Sequence, residues 1–195
     1  MPKEVHRKRK TIAEIIKKHS PVKKSVEVKD EDQHLDMCSK IIPGLWIGNY
    51  KCAKNKEFFE KNKIKAVLNC TEDLPNTFAC TKDVEYMRIP VDDSLKEKDF
   101  KKMLDYFPVI VEFLYKHVVI EKHNVLVHCF AGRQRSAVSV AAFLVKYFNL
   151  TPSKAIKFLI SKRPEAFHFG KSINFESSLN KYYRSLKNKE NKTTK

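Results

Sequence analysis

One unit constrains the chain more than any other: the apolar run Asn124-Val125-Leu126-Val127-His128, a short loop through Gly132, and a second apolar run over 135–147. The first run is apolar on successive residues, which suits a strand covered on both faces. The second, Arg-Ser-Ala-Val-Ser-Val-Ala-Ala-Phe-Leu-Val-Lys-Tyr, reads as a buried helix. A buried strand that feeds a buried helix suits an α/β arrangement with layers on both sides of a sheet.

The rest of the chain agrees. Lys40-Ile41-Ile42-Pro43-Gly44-Leu45-Trp46-Ile47-Gly48 reads as strand, Pro-Gly turn and strand. Residues 53–62 look helical, with Phe58 and Phe59 inward, and Ile64-Lys65-Ala66-Val67-Leu68-Asn69 is a short apolar strand. Another strand starts at Glu85-Tyr86-Met87-Arg88-Ile89-Pro90-Val91 and runs out into acidic residues and a loop. A helical stripe over 99–118 carries Phe100, Met103, Phe107, Ile110 and Leu114, and Pro108 inside it predicts a kink or two abutting helices. Thr151-Pro152 is a helix start. Strands alternating with helices predict an α/β fold, a central mainly parallel sheet flanked by helices.

Composition sets the domain plan. The 195 residues carry 42% apolar and 32% charged side chains, enough for one core plus tails. The net charge of +16 is uneven: +6 falls in residues 1–30 and +5 in residues 181–195. The plan is a basic N-terminal extension over 1–36, a catalytic domain over 37–186 and a basic tail over 187–195. Basic ends suit acidic partners or nucleic acid, or simply a solvated surface. Ile12, Ile15 and Ile16 make a short apolar stripe in the extension, too brief to fold alone; a helix exchanged between two copies would bury it in a homodimer, docking on its own domain would bury it too, and a solvated basic docking tail is the third option. No run is long and apolar enough for a transmembrane helix, and the start Met1-Pro2-Lys3-Glu4 lacks a signal-like apolar region, so an intracellular protein, cytoplasmic or nuclear, is expected. The Lys- and Asn-rich usage suits an AT-rich genome; were the source a large DNA virus, the place would be the virion or host cytoplasm. The five cysteines, Cys38, Cys52, Cys70, Cys80 and Cys129, form no C-x-x-C pair and read as reduced thiols.

Chemistry concentrates in His128-Cys129-Phe130-Ala131-Gly132-Arg133-Gln134-Arg135-Ser136. In an open α/β sheet, ligands bind where strand C-termini meet helix N-termini. A loop there can turn backbone N–H groups into a concave nest for an anion, and the helix dipole adds attraction. Gly132 allows the tight path, and Arg135 at the helix start can grip two phosphate oxygens. Cys129 lies at the mouth of this cradle, where helix N-termini and neighbouring Arg lower thiol pKa values from ~8.5 to ~3.5–7.5. Singly, Cys129 fits a buried small hydrophobe, His128 a core histidine and Arg135 an ordinary ion-pair residue. Together, between an apolar strand and an apolar helix, they point to a thiolate held beneath a bound phosphate.

The same segment resembles the His-Cys-x-x-Gly-x-x-Arg-Ser signature of cysteine-dependent protein phosphatases, in the form of the small dual-specificity subgroup of the protein tyrosine phosphatase superfamily. The resemblance reaches Ile42-Pro43-Gly44-Leu45-Trp46-Ile47-Gly48-Asn49, Ile64 to Thr71, the acid loop Ile89-Pro90-Val91-Asp92-Asp93, and Arg163-Pro164, and covers about residues 38–186. Two departures stand out: Ala166-Phe167-His168-Phe169-Gly170 replaces the Pro-Asn and Gly-Phe usual after Arg-Pro, and Lys96-Glu97-Lys98 lengthens the span from acid loop to cysteine.

The resemblance implies a protein phosphatase acting on phosphotyrosine and phosphoserine/phosphothreonine of phosphoprotein substrates. Cys129, Arg135 and Asp93 are the implied catalytic residues. Phe130, Ala131, Gly132, Arg133, Gln134 and Arg135 would form the phosphate loop, with His128 and Ser136 supporting; Ser136 would hydrogen-bond the sulfur and His128 would order the loop and hold the thiolate. Expulsion of an alkoxide requires a proton, so a carboxylic acid is needed nearby, and position favours Asp93 over Asp92. No cofactor and no metal are expected, since no His/Asp/Cys group shows metal-ligand spacing. The alternatives are an RNA 5′-triphosphatase or a phosphoinositide phosphatase using the same loop. Those RNA enzymes usually carry His at the second loop position and Thr-Gly after the Arg, where this chain has Ala131 and Ser136-Ala137.

Overall fold

The computed structural model describes residues 37–81, 83–94, 96–167 and 175–193. The isoleucine stripe at 12–16 and most of the departure at 168–170 lie outside the described residues.

Five strands form one sheet: β1 (Cys38–Ile42), β2 (Leu45–Gly48), β3 (Ile64–Asn69), β4 (Glu85–Arg88) and β5 (Asn124–His128), in the spatial order β1-β2-β5-β3-β4. β1 and β2 are an antiparallel hairpin turned at Gly44, whose φ of +83° a side chain would resist. The other pairings are parallel, as the apolar runs predicted. β5 sits at the centre, and its side chains alternate between two cores. Val125 and Val127 face the main core with Ala66 and Leu68 of β3. Leu126 faces a smaller one with Val67, Phe59 and Ile64, roofed by helix α1 (Lys56–Lys61). Covering both faces of β5 explains its unbroken apolar run.

On the main face lie α2 (Glu97–Leu114), α3 (Arg135–Phe148), α4 (Pro152–Lys162) and α5 (Glu176–Thr193). α3 is central, packed on α2, α4 and α5, and every residue from Arg135 to Val145 is buried. It stops at Asn149, which takes the left-handed conformation (φ +53°) common after helix ends. Thr151 caps α4 by accepting the Lys154 N–H at 3.4 Å, and Pro152 fills its first turn.

Four features differ from the sequence reading. Pro108 does not divide its helix: α2 continues through it, and the irregularity comes about two turns later as a π-helical segment, Tyr115–Ile120. Only Phe59 of the expected inward pair is buried, while Phe58 is half-buried and edge-on to Trp46. The basic stretch after 186 is helix as far as Thr193, where α5 ends. And Cys38 and Cys52 are not reduced thiols but a disulfide, Cα–Cα 5.9 Å. The β1–β2 hairpin returns the chain beside Cys38, and Gly48 leaves room for the bond, since a Cβ there would lie 2.8 Å from the Cys52 sulfur. Cys70, Cys80 and Cys129 are free.

Candidate active site

The C-terminal ends of the parallel strands share one edge of the sheet, and the loop from Cys129 to Gln134 crosses it from β5 into α3. Cys129 is 1% exposed. Its sulfur accepts the Gly132 N–H at 3.2 Å and lies 3.3 Å from Ser136 Oγ. The Gly132 N–H and the positive end of α3 both point toward this sulfur.

Gly132 is where the loop leaves no alternative. Its φ is +69°, and a Cβ there would meet the Gly48 carbonyl oxygen at 2.7 Å and Arg163 Nη2 at 2.9 Å. Arg163, 2% exposed, donates from Nε to the Gly132 carbonyl at 2.7 Å and from Nη1 to Ser39 Oγ at 3.0 Å. This buried guanidinium ties the loop to β1. The Phe167 N–H donates to the Arg133 carbonyl at 3.0 Å from the same side. Gln134 is buried with its side-chain amide free of hydrogen-bond partners, and Phe130, 57% exposed, stacks on Tyr50 at the rim.

Arg135 is buried at the first turn of α3 and reaches the acid loop. Its Nη1 donates to the Val91 carbonyl at 3.0 Å and its Nη2 lies 3.4 Å from Asp93 Oδ2. The Asp93 carboxyl is thus brought to the phosphate loop. Burial pushes its pKa above the ordinary carboxylate value, Arg135 pulls it down, and the charges of Asp92 and Asp99 push it up; the net direction is upward. The Asp92 carboxylate instead accepts the N–H of Asp93 at 2.7 Å, a local turn contact. Asp99, at the start of α2, accepts from Ser94 Oγ and from the Lys96 N–H, so Lys96 and Glu97 of the expected insertion serve as the entry to that helix.

His128 does not hold the thiolate by charge. It is 1% exposed, and burial, with Arg88 and Arg135 nearby, pushes its pKa down to about 4, so the ring is neutral at pH 7. Cys70, at the end of β3, is also buried: desolvation pushes its thiol up to about 12, and its sulfur lies 3.5 Å from Ser139 Oγ. It is a neutral thiol near Cys129.

Sequence reasoning missed three things here. Arg163 was visible only as half of an Arg-Pro match, although it is one of just seven arginines. Arg88 was read as a strand residue, yet its guanidinium binds the carbonyls of Thr71, Glu72 and Leu74 and shapes the neighbouring loop. And a group with metal-ligand geometry does exist, away from this edge, at His117, Glu121 and His123.

The family model described as the dual specificity phosphatase catalytic domain matches residues 45–185. The chain belongs to this family. Among curated relatives of this phosphatase domain, it is 33% identical over 150 residues to dual specificity protein phosphatase 8 of Mus musculus, covering 76% of this chain and 21% of that protein. It is 34% identical over 145 residues to dual specificity protein phosphatase Mpk3 of Drosophila melanogaster, covering 72% of this chain and 34% of that one. The match therefore spans about a fifth to a third of these relatives. Among solved structures, human DUSP28 aligns with a TM-score of 0.67 at 25% identity, over 77% of this chain and 95% of that one. These matches support the mixed α/β fold with a central sheet flanked by helices. No helix among the described residues is long and apolar enough to cross a membrane.

Proposed function

We propose that this chain hydrolyses phosphate monoesters of phosphoproteins, on tyrosine and on serine or threonine, through a cysteinyl-phosphate intermediate. The observation that carries the reading is the convergence at one sheet edge of Cys129 Sγ, backed by Gly132 N–H and Ser136 Oγ, with Arg135 and Asp93 3.4 Å apart.

In the first step the Cys129 thiolate attacks phosphorus. The bond to the leaving oxygen breaks and that oxygen takes the proton of the Asp93 carboxyl. Arg135 and the loop amides hold the equatorial oxygens, whose charge peaks in the transition state. In the second step a water, losing its proton to the now ionised Asp93, attacks phosphorus and expels the thiolate. Ser136 Oγ, 3.3 Å from the sulfur, stabilises the departing anion. The raised pKa of Asp93 suits a group that must begin the cycle protonated. The neutral His128 leaves positive charge at the loop to Arg135, Arg133 and the α3 N-terminus.

The test is a panel assayed in chelator: an aryl phosphate, phosphopeptides of all three types, soluble phosphoinositides and a 5′-triphosphate RNA. Turnover of the aryl phosphate and phosphopeptides is expected. Cys129→Ser should lower it by about 10³-fold or more, and Arg135→Ala by about 10²–10³-fold. Activity on RNA ends or inositides alone, or an active Cys129→Ser chain, would overturn the proposal.

A further inference from the structure

At the other edge of the sheet, where the parallel strands begin, three side chains converge. His117 lies in the π-helical segment that ends α2, Glu121 follows it, and His123 precedes β5. His117 Nδ1 is 2.7 Å from Glu121 Oε2, His123 Nδ1 is 3.1 Å from the same oxygen, and the two Nδ1 atoms are 3.3 Å apart. The backbone builds this approach. Glu121 N–H donates to the Lys116 carbonyl and His123 N–H to that of His117, each wider than an α-helical bond, and Lys122 takes φ +58°. The chain thus folds His123 back over His117, and π segments of this kind concentrate at functional sites.

The protons do not fit a purely internal account. If both Nδ1 atoms carry hydrogen toward Glu121, those hydrogens face each other across 3.3 Å. His117 Nε2, bare, then sets its lone pair against Glu85 Oε1 at 3.4 Å. A neutral His117 therefore leaves a nitrogen lone pair facing a carboxylate in either tautomer, Glu121 at Nδ1 or Glu85 at Nε2.

We propose that His117 Nδ1, His123 Nδ1 and Glu121 Oε2 bind one divalent transition-metal ion, suited to zinc, with Glu85 as the outer carboxylate that fixes the His117 ring. Two imidazoles and a carboxylate match zinc's preferences, and Zn–N bonds of about 2.0–2.1 Å at a tetrahedral angle place two nitrogens about 3.3–3.4 Å apart. The Nδ1 pair is at that spacing, and the tightest pair, His117 to Glu121, needs to open by about 0.6 Å. Each imidazole then offers a lone pair at Nδ1, and the His117 Nε2–H turns to Glu85, the carboxylate–histidine–metal arrangement that orients ligands. Lys116 Nζ, 2.9 Å from Glu85 Oε2, holds that carboxylate in place. Glu121 and His123 are 31% and 39% exposed, so an ion can enter and keep water as its fourth ligand. The five-residue length of β5 puts the site about 15 Å from the phosphate loop, so the ion's part is to clamp the end of α2 to the start of β4 and β5, not to take part in hydrolysis.

The experiment uses the full chain carrying Cys129→Ser, so that the reactive thiol does not compete for metal. Zn²⁺ is titrated against a chromophoric chelator, Co²⁺ is followed by visible absorption, and thermal melting is read with and without Zn²⁺. One equivalent should bind, with tetrahedral Co²⁺ bands, no sulfur charge-transfer band and a higher Tm. His123→Gln and Glu121→Gln should each abolish stoichiometric binding and the Tm rise, and Glu85→Gln should weaken binding by about 10–100-fold. The same substitutions with Cys129 intact should hydrolyse an aryl phosphate in chelator at the parent rate, which shows the fold is kept. No stoichiometric binding, binding unchanged in both ligand variants, or a sulfur charge-transfer band would overturn the proposal.

Discussion

At the residue scale, the site divides into groups the chain spells out in one stretch and groups it assembles through space. Cys129, Gly132, Arg135 and Ser136 fall within eight consecutive positions, so their chemistry could be read directly. Arg163 braces Gly132 from 31 residues away and meets Ser39 across 124, and nothing local in the sequence marks it for that task. The choice between Asp92 and Asp93 is of the second kind, because it depends on which carboxyl faces Arg135. It has a kinetic signature. Asp93→Asn should slow phosphoserine peptides by about 10²–10⁴-fold and an activated aryl phosphate much less, since the aryl oxygen leaves without a proton. With Asp93 as the acid, the rate falls as pH rises through its raised pKa. Because the Asp92 charge helps raise that pKa, Asp92→Asn should move the falling limb to lower pH. If Asp92→Asn shows the leaving-group effect instead, the acid is Asp92. Gly132→Ala sets a β-carbon against the Gly48 backbone in a strained φ. It should cost about 2 kcal/mol or more, a drop in Tm of ~4–8 °C, and lower turnover with it.

At the element scale, the sheet and the helices it supports were legible because burial on two faces leaves an unmistakable mark: β5 and α3 are apolar almost throughout. The flanks were not. Pro108 is a helix breaker by rule, yet α2 carries Met103, Phe107, Ile110, Val111 and Leu114 into the core on one stripe, and that packing keeps the helix continuous through the lost hydrogen bond. The π segment beyond it leaves no sequence mark, since its widened bonds serve the return of His123. The Cys38–Cys52 bond escaped for a different reason: pairing depends on a hairpin bringing residues of 14 positions' separation to one place, and spacing alone cannot show that. A loop of this length should stabilise the fold by about 3 kcal/mol, so Cys38→Ser should lower the Tm measurably. Thiol titration of the unfolded chain should find more free cysteine after reduction than before. Equal thiol counts would show the pair to be reduced in solution, as the sequence suggested.

At the scale of the whole molecule, the central sheet separates two chemistries: an anion cradle where its parallel strands end and an imidazole–carboxylate cluster where they begin. Between them, groups that cannot ionise without loss set the pH range of the fold. His128 is neutral when buried, with a pKa near 4 against 6.5 when free. Between these values the unfolded chain binds the extra proton and the folded one does not, so stability is complete above pH 6.5 and is lost as pH falls toward 4. The full displacement is worth on the order of 3 kcal/mol. Cys70 acts at the opposite end: its thiol ionises near 9 when free and near 12 when buried, so stability should also decline as pH climbs above 9. Thermal melts across pH in chelator should therefore trace a dome with a plateau between about pH 6.5 and 9. In a His128→Asn chain the unfolded state no longer gains that proton. Its acid limb should flatten between pH 6.5 and 4, while the alkaline limb stays where it was. An acid limb as steep in His128→Asn as in the parent would move the cause from this buried ring to His117, whose pKa burial also lowers, or to the carboxylates.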